Sequence, residues 1–596
     1  MVLQTTPAPG SGSAGPARDT GPPRRRLRSV LPSRPQAGPG RWVVIAVTWA
    51  MAVAVLIPIL AVFYESIQKR TGLLTSVFSL DSYRALFTPR IYEAVVLSLK
   101  FGLGSAVIAT VVGTVLAFLV VRTDVPGRRI IELASYVPFF LSSFLLAICW
   151  QYVGSPNTGL LNRLAIDLGL TDHAFLDIYS EVGIILVIGI AHTPLAFLMV
   201  SGALRQMDPA LEQAARVCGA GRIRTSWQVT IRLASRGIIS AFIINFVLGF
   251  EDLGVPLVLG NPAGIEPLPM RVWEVIQREF PADYNFAAAA SVLLLALPVL
   301  AFWFQGRITG SRSRYTLSGK ASAPQRMALG WAKWPAFAFC AVWVVIAVIL
   351  PMVALILTAF QRRWSGTLDT GLLTLDNFAK VFETTSYSLP VLSAFWNSLI
   401  LAVVVATIVV ILAPVATYAI HRLRMRGGRW AEVILSAPLA IPGSTIAVGL
   451  LNLLVQTPLY ATIWIIAIGF AIRYFPYGLR TVDAAVGSIH PELEEASRVS
   501  GYGLGQTLRR VVIPLLRPAM VGGWLLLFVL LMRDVAMSNL LYAGGNRTLS
   551  VALLSISALQ PTGVVAAFTL MQIVLFLGVA ALAMLSGGAR REALRM

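Results

Sequence analysis

DPALEQAARVCGAG, residues 208–221, returns as HPELEEASRVSGYG at residues 490–503. The two copies align without a gap at a constant offset of 282, and Pro209, Leu211, Glu212, Ala214, Arg216, Val217, Gly219 and Gly221 meet identical residues. Each copy is amphipathic and charged, and each lies between very apolar stretches. A hydrophobic chain that carries the same polar device twice, half a chain apart, reads as a duplicated membrane protein with two docking points.

Working outward, Asp208 suits a helix N-cap and Pro209 the first helical turn. Leu211, Ala214, Ala215 and Cys218 then recur at helical spacing, giving a narrow face of mostly small residues. The second copy presents Leu493, Ala496, Ser497 and Ser500 in the same places. Glu212 with Arg216, and Glu494 with Arg498, have the spacing of an acid-to-base pair on the helix flank. Gly219 and Gly501 end each helix where a positive φ is needed. A small-residue face closed by a sharp turn lets another protein's surface approach the backbone.

The chain has 596 residues, of which 57% are hydrophobic and only 13% charged. Soluble domains carry about a quarter charged residues, so this is the composition of an all-α polytopic membrane protein. Apolar runs of spanning length lie near 42–64, 94–121, 130–153, 182–204, 237–259 and 284–304, then near 335–360, 395–420, 431–455, 459–480, 518–542 and 563–585. That gives about 12 transmembrane helices in two sets of six, with both termini on one side. Of the 48 Lys and Arg, 34 fall in the segments on that side and 11 on the other. The net charge of +20 therefore reports the positive-inside bias of a multi-pass membrane protein with both termini cytoplasmic, and no nucleic acid partner is expected.

The chain divides into a basic, Pro- and Gly-rich tail (1–41) expected to be disordered, a first transmembrane repeat (42–304), a basic linker (305–334), a second repeat (335–587) and a short C-terminus (588–596). VPFFLSS at Val137 corresponds to APLAIPG at Ala437, and Pro194 to Pro476. The extra length of the first half sits in the outward loop 154–180. The halves are thus parallel six-helix repeats, which implies a pseudo-twofold axis along the membrane normal and a pathway between them.

EASRVSGYGLGQTLRRVVIPLLRP, from Glu495, resembles the E-A-A-x-x-x-G…I-x-L-P signature of membrane subunits of ATP-binding-cassette importers that work with a binding protein; QAARVCGAGRIRTSWQVTIRLA, from Gln213, is a weaker second copy. The signature's acid falls on Glu495 but on Gln213 in the first half, and its last proline on Pro514 but on Arg232. Two copies in one chain resemble the fused permeases of the ferric-iron, thiamine and aminophosphonate branches. The resemblance implies a type I importer-like fold. It also implies two copies of a cytoplasmic cassette ATPase docking on coupling helices that include Glu212, Gln213, Ala214, Ala215, Gly219, Glu494, Glu495, Ala496, Ser497 and Gly501. An extracytoplasmic solute-binding protein would dock on loops such as 154–180 and 361–390. The substrate it implies first is ferric iron, with thiamine or an aminophosphonate as the others.

No G-x-x-x-x-G-K-[ST] loop is present, so LSGGAR at Leu585 and LSGKA at Leu317 hold no phosphates, and ATP is expected on partner subunits rather than as a cofactor of this chain. RTDVPGRR at Arg122 lies where major-facilitator carriers keep a basic loop but lacks its upstream glycine. A twelve-helix secondary carrier coupled to an ion gradient is the alternative; it would need no ATPase. The three cysteines are scattered and the four histidines dispersed, so neither a disulfide framework nor a metal site is expected, and no catalytic constellation is visible. Glu251 and Asp252 align with Arg533 and Asp534 at the same offset. Ionisable residues within a membrane default to functional candidates. Arg533 facing Glu251 or Asp252 would make a gate or a path lining; a structural interhelical ion pair is the other reading.

Overall fold

The computed structural model describes residues 39–70, 76–309, 326–383 and 391–586. The expected tail, the middle of the linker and the C-terminus lie outside them. The described residues are helical almost throughout, and their one sheet is a hairpin pairing Gln68–Arg70 with Ser76–Phe78 after the first span.

All twelve expected spans are helical, but not all are plain rods. Nine are continuous and strongly apolar: Gly40–Ser66, Pro89–Arg122, Glu181–Arg205, Ser226–Phe250, Tyr284–Arg307, Gly330–Ala359, Val391–Arg422, Leu504–Met532 and Thr562–Val579. The tenth span is Ile463–Ser488, whose 26 residues include Arg473, Arg480 and Asp483. At about 1.5 Å per residue it is long enough to cross.

The third and ninth spans depart from expectation. Each is a helix pair bent by 104°: Arg128–Phe140 with Ser143–Gly154, and Gly428–Leu439 with Gly443–Leu454. In the first pair Leu141 is extended (ψ 141°) and the Ser142 hydroxyl accepts from the Leu145 N–H at 3.1 Å, starting a new helix. In the second, Pro442 takes the place of Ser142 and cannot donate into the preceding turn. A run of apolar letters hides both turns, because each is made without a charged residue.

The fifth and eleventh spans also begin earlier than the apolar runs suggested. They start at Ser226 and Leu504, directly after the repeated polar segment, and stop at Phe250 and Met532. The chain breaks there at Glu251-Asp252 and Arg533-Asp534, then continues through shorter elements, including Leu268–Gln277 in the first repeat and Ala536–Leu540 and Leu549–Leu559 in the second.

In each repeat the second span is the spine. Pro89–Arg122 packs along Glu181–Arg205 and Arg232–Phe250; Val391–Thr417 packs along Ile463–Ser488 and Ile513–Met532. Small residues permit the contact: a Cβ on Gly113 would come within 2.7 Å of the Ala196 Cβ, and one on Gly249 would strike Ser105. The first span of each repeat crosses to the other half. Pro39–Ser66 packs on Gly443–Leu454, while Leu350–Ala359 packs on Ser143–Gly154. Each bent span is therefore clasped by the opposite repeat.

Candidate functional site

The repeated segments form matched short helices, Pro209–Val217 and Pro491–Val499. The Asp208 carboxylate accepts from the Ala210 N–H at 2.9 Å, capping the first. Gly219 and Gly501 have φ of +84° and +83°, which turns the chain back toward the next span. Val217 and Val499 are 88% and 89% exposed, and Leu211 and Leu493 stand out beside them. Gln213, Ala214, Glu495 and Ala496 are exposed too, and Ala215 is half-buried.

Three of the residues expected on the docking face point inward instead. Glu212 is buried; it accepts from the Thr230 hydroxyl at 2.7 Å and lies 3.6 Å from Arg122. Glu494 is buried against Arg422 at 3.3 Å and accepts from the Tyr418 hydroxyl at 3.0 Å. Ser497 is buried with Thr507 at 3.0 Å. The flank pair of Glu212 with Arg216 is not formed among the described ion pairs, because the stronger partner is the buried guanidinium; the Arg498 side chain lies outside what the structure describes.

Arg122 and Arg422 make a second, matched contact. Arg122 donates to the Leu204 carbonyl at 2.8 Å, and Arg422 to the Val486 carbonyl at 2.9 Å. Leu204 and Val486 are 282 positions apart, the repeat offset. One arginine at the end of the second span of each repeat thus holds both the end of the fourth span and the short helix that follows it. These arginines were missed as site residues. The signal was present: Glu212 and Glu494 recur in both copies, and RTDVPGRR has its own counterpart in RLRMRGGR.

Between the repeats the four chain breaks converge on a polar cavity of about 140 Å³, lined among others by Ser143, Glu251, Asp252, Arg473, Tyr474 and Arg533. Glu251 and Asp252 therefore do face Arg533 and Asp534 across the pseudo-twofold. The expected pairing of Arg533 with an acid of the first repeat is not made. Arg473 pairs with Glu251 instead, at 2.7 Å, with both side chains about nine-tenths buried. Asp252 accepts from the Val255 N–H at 2.9 Å, and Asp534 from Met537 and Ser538 at 3.1 Å each, so both cap the element after the break. The second Asp534 oxygen accepts from the Tyr474 hydroxyl at 2.8 Å.

The two guanidiniums serve the bent spans. Arg473 donates to the Pro438 carbonyl at 2.6 Å and also to that of Ile441. Arg533 donates to the Phe139 carbonyl, reaches Leu141 at 3.5 Å and stacks 4.9 Å over the Phe139 ring. Carbonyls freed by a helix break inside a membrane need such donors. At the repeat offset Arg533 corresponds to Glu251, which cannot donate, so the second bend takes its guanidinium from Arg473 and Glu251 holds that residue in place. One Glu251 oxygen and the His192 Nδ1 stay buried without a hydrogen-bond partner among the described residues.

At the opposite end the loop after the third span is folded on Asn162. Its amide donates to the Ser155 and Leu176 carbonyls and accepts from Phe175 and Leu176. Trp364, from the loop after the first span of the second repeat, donates to the Thr158 carbonyl at 2.8 Å, so these two loops meet across the repeats. The end of the loop 361–390 lies outside the described residues.

Two six-span repeats, two matched exposed helices at one end and a polar cavity at the repeat interface define a membrane permease built by duplication. Residues 109–314 match the family described as binding-protein-dependent transport system inner membrane component. The chain is 26% identical over 435 residues to the putative ferric transport system permease protein FbpB 1 of Haemophilus influenzae, covering 72% of this chain and 67% of that one. It is 26% identical over 455 residues to the ferric transport system permease protein FbpB of Actinobacillus pleuropneumoniae, covering 75% and 64%. Over 214 residues it is 25% identical to a putative 2-aminoethylphosphonate transport system permease protein PhnV of Salmonella typhi, covering 35% of this chain and 78% of that one. It thus spans about two thirds of the length of the two ferric permeases. The crystal structure of a bacterial transporter of alginate aligns with 45% of this chain at 19% identity and a TM-score of 0.38. In sequence the chain is thus similar to membrane subunits of binding-protein-dependent importers, with the family match lying in its first repeat and the start of the linker.

Proposed function

We propose that this permease imports a small solute delivered by an extracytoplasmic binding protein, driven by two ATPase subunits that dock on Pro209–Val217 and Pro491–Val499. The observation that carries the reading is the pair of matched helices, each with an exposed apolar edge and each anchored by a buried glutamate. Closure of the ATPase subunits pulls on these helices, and the anchors pass the movement to the second and fourth spans of each repeat. The solute crosses through the cavity where the breaks meet, with Glu251, Asp252, Arg533 and Asp534 as its polar lining. Both termini and the two docking helices face the cytoplasm, as the charge bias requires.

Ferric iron is the proposed cargo, supported by the likeness to two proteins named as ferric permeases. Among the described residues no group of three His, Cys, Asp or Glu is placed to hold a metal ion, so the cavity would pass the ion rather than store it.

Gly501→Pro or Glu495→Lys abolishes co-purification of the ATPase subunit while leaving the protein in the membrane. Uptake of radioactive iron into vesicles that proceeds without ATP and collapses with the ion gradient would overturn the importer reading in favour of a secondary carrier. ATP-dependent uptake of thiamine or an aminophosphonate in place of iron would overturn the cargo alone.

A further inference from the structure

On the face that bears the docking helices, a groove of about 820 Å³ opens between the start of the fifth span and the start of the seventh, within the size range of small-molecule sites. Trp227, Met327, Leu329 and Ala332 give it an apolar lining, and Arg224 and Gln228 stand at its edge. The groove is a built feature. Met327 N–H donates to the Arg122 carbonyl and Leu329 N–H to the Asp124 carboxylate, both at 2.8 Å, which fixes the linker's end against the first repeat. Asp124 is thereby engaged. Arg224 is steadied by the Gln228 side-chain oxygen at 3.0 Å.

Besides Asp124, the charges close to the groove are basic. Arg326 precedes Met327 in sequence, and its guanidinium lies near enough to Arg128 for the two to repel, with Arg129 adding to the crowding. Glu132, an acid close to Arg128, already pairs with Arg205. Trp227 and Trp331 are 71% and 82% exposed, as indole rings at a membrane–water boundary are. An apolar groove at that level, with the Arg224 guanidinium in its lining and Arg326 next in sequence to its Met327, matches a molecule with a hydrocarbon chain and a negative head.

We infer that the groove binds one anionic phospholipid, its chain against Trp227 and Met327 and its phosphate between Arg224 and Arg326. Among the described residues the second repeat does not repeat the groove: at the repeat offset Arg224 becomes Gln506, which accepts from the Gly503 N–H, and Trp227 becomes Arg509.

The test uses the purified full-length chain in detergent, with phosphatidylglycerol and phosphatidylcholine of the same chain length. Native mass spectrometry should show one retained phosphatidylglycerol, and that lipid alone should raise the melting temperature. Arg224→Gln with Arg326→Gln should lower its retention about tenfold, while Arg224→Lys with native Arg326 keeps it. Trp227→Ala should weaken retention with the charges intact. Equal stabilisation by phosphatidylcholine, or undiminished phosphatidylglycerol retention in the double glutamine variant, overturns the site. So does loss of ATPase co-purification in Trp227→Ala with lipid retention unchanged, because the groove then belongs to the protein partner.

Discussion

Arg122 and Arg422 do the same work in the two repeats with different helpers. The glutamate of the first docking helix is satisfied by Thr230, that of the second by Tyr418, yet the guanidinium and the carbonyl it binds occupy matched positions. A buried pair that loses one member leaves an uncompensated charge, at a cost of about 3–5 kcal/mol. Glu212→Ala and Glu494→Ala should therefore lower the melting temperature sharply, with Glu212→Gln milder because the amide oxygen keeps the Thr230 bond. A melting curve for Glu212→Ala that matches the parent would mean that Arg122 is satisfied without it. The cavity pair tests differently. Arg473→Met exposes the bend carbonyls and strands Glu251, whereas Glu251→Gln removes only the charge, so Arg473→Met should be the more damaging change. The double variant should recover part of the combined loss, with a coupling of about 1–3 kcal/mol in a double-mutant cycle of detergent stability. Simple additivity would refute a direct pairing.

The short helices and the bent spans differed in how legible they were in the sequence. Gly219 and Gly501 announced the ends of the docking helices because only a residue without a side chain takes φ near +84° cheaply. Gly501→Ala should cost about 1 kcal/mol and should show as faster amide exchange over Pro491–Val499, with no change over Val391–Thr417; equal protection in both would mean that the turn tolerates a side chain. Repeat number, span order and the placement of the two short matched helices were also legible, since a constant offset survives where individual letters drift. The bends at Leu141 and Ile441 were not. Serine and proline turns inside apolar runs leave hydropathy unchanged, and the donors that make them tolerable, Arg533 and Arg473, come from distant spans. The inward turn of Glu212 was hidden for a related reason. Its spacing to Arg216 allows a surface pair, and only the tertiary placement of Arg122 shows which guanidinium wins.

At the scale of the whole molecule, the interlocking of the repeats decides how it can move. Each bent span is clasped by the first span of the other half, and Glu251 and Arg533 each reach across to support the opposite bend, directly or through Arg473. Gln277 of the first repeat also donates to the Asn539 and Leu540 carbonyls of the second, at 2.9 and 3.0 Å. Such cross-ties couple each bend to the opposite repeat, so a movement of one repeat about the cavity carries with it the bend that it supports. In the proposed mechanism the two short helices are the ends of the levers, and they make no contact with each other among the main packing contacts of the described elements. Spin labels at Val217→Cys and Val499→Cys, in a chain with Cys218→Ser to remove the exposed native thiol, sit on side chains already 88% and 89% exposed, so labelling should leave the fold intact. With the ATPase subunits bound, ATP should shift the distance distribution between the labels by several ångströms toward shorter values. Glu251→Gln should blunt that shift, because a loosened bend lets one repeat flex instead of rocking as a unit. A distribution that ignores ATP in the assembled complex would refute the lever, and one that shifts fully in Glu251→Gln would remove the ion pair from the coupling path.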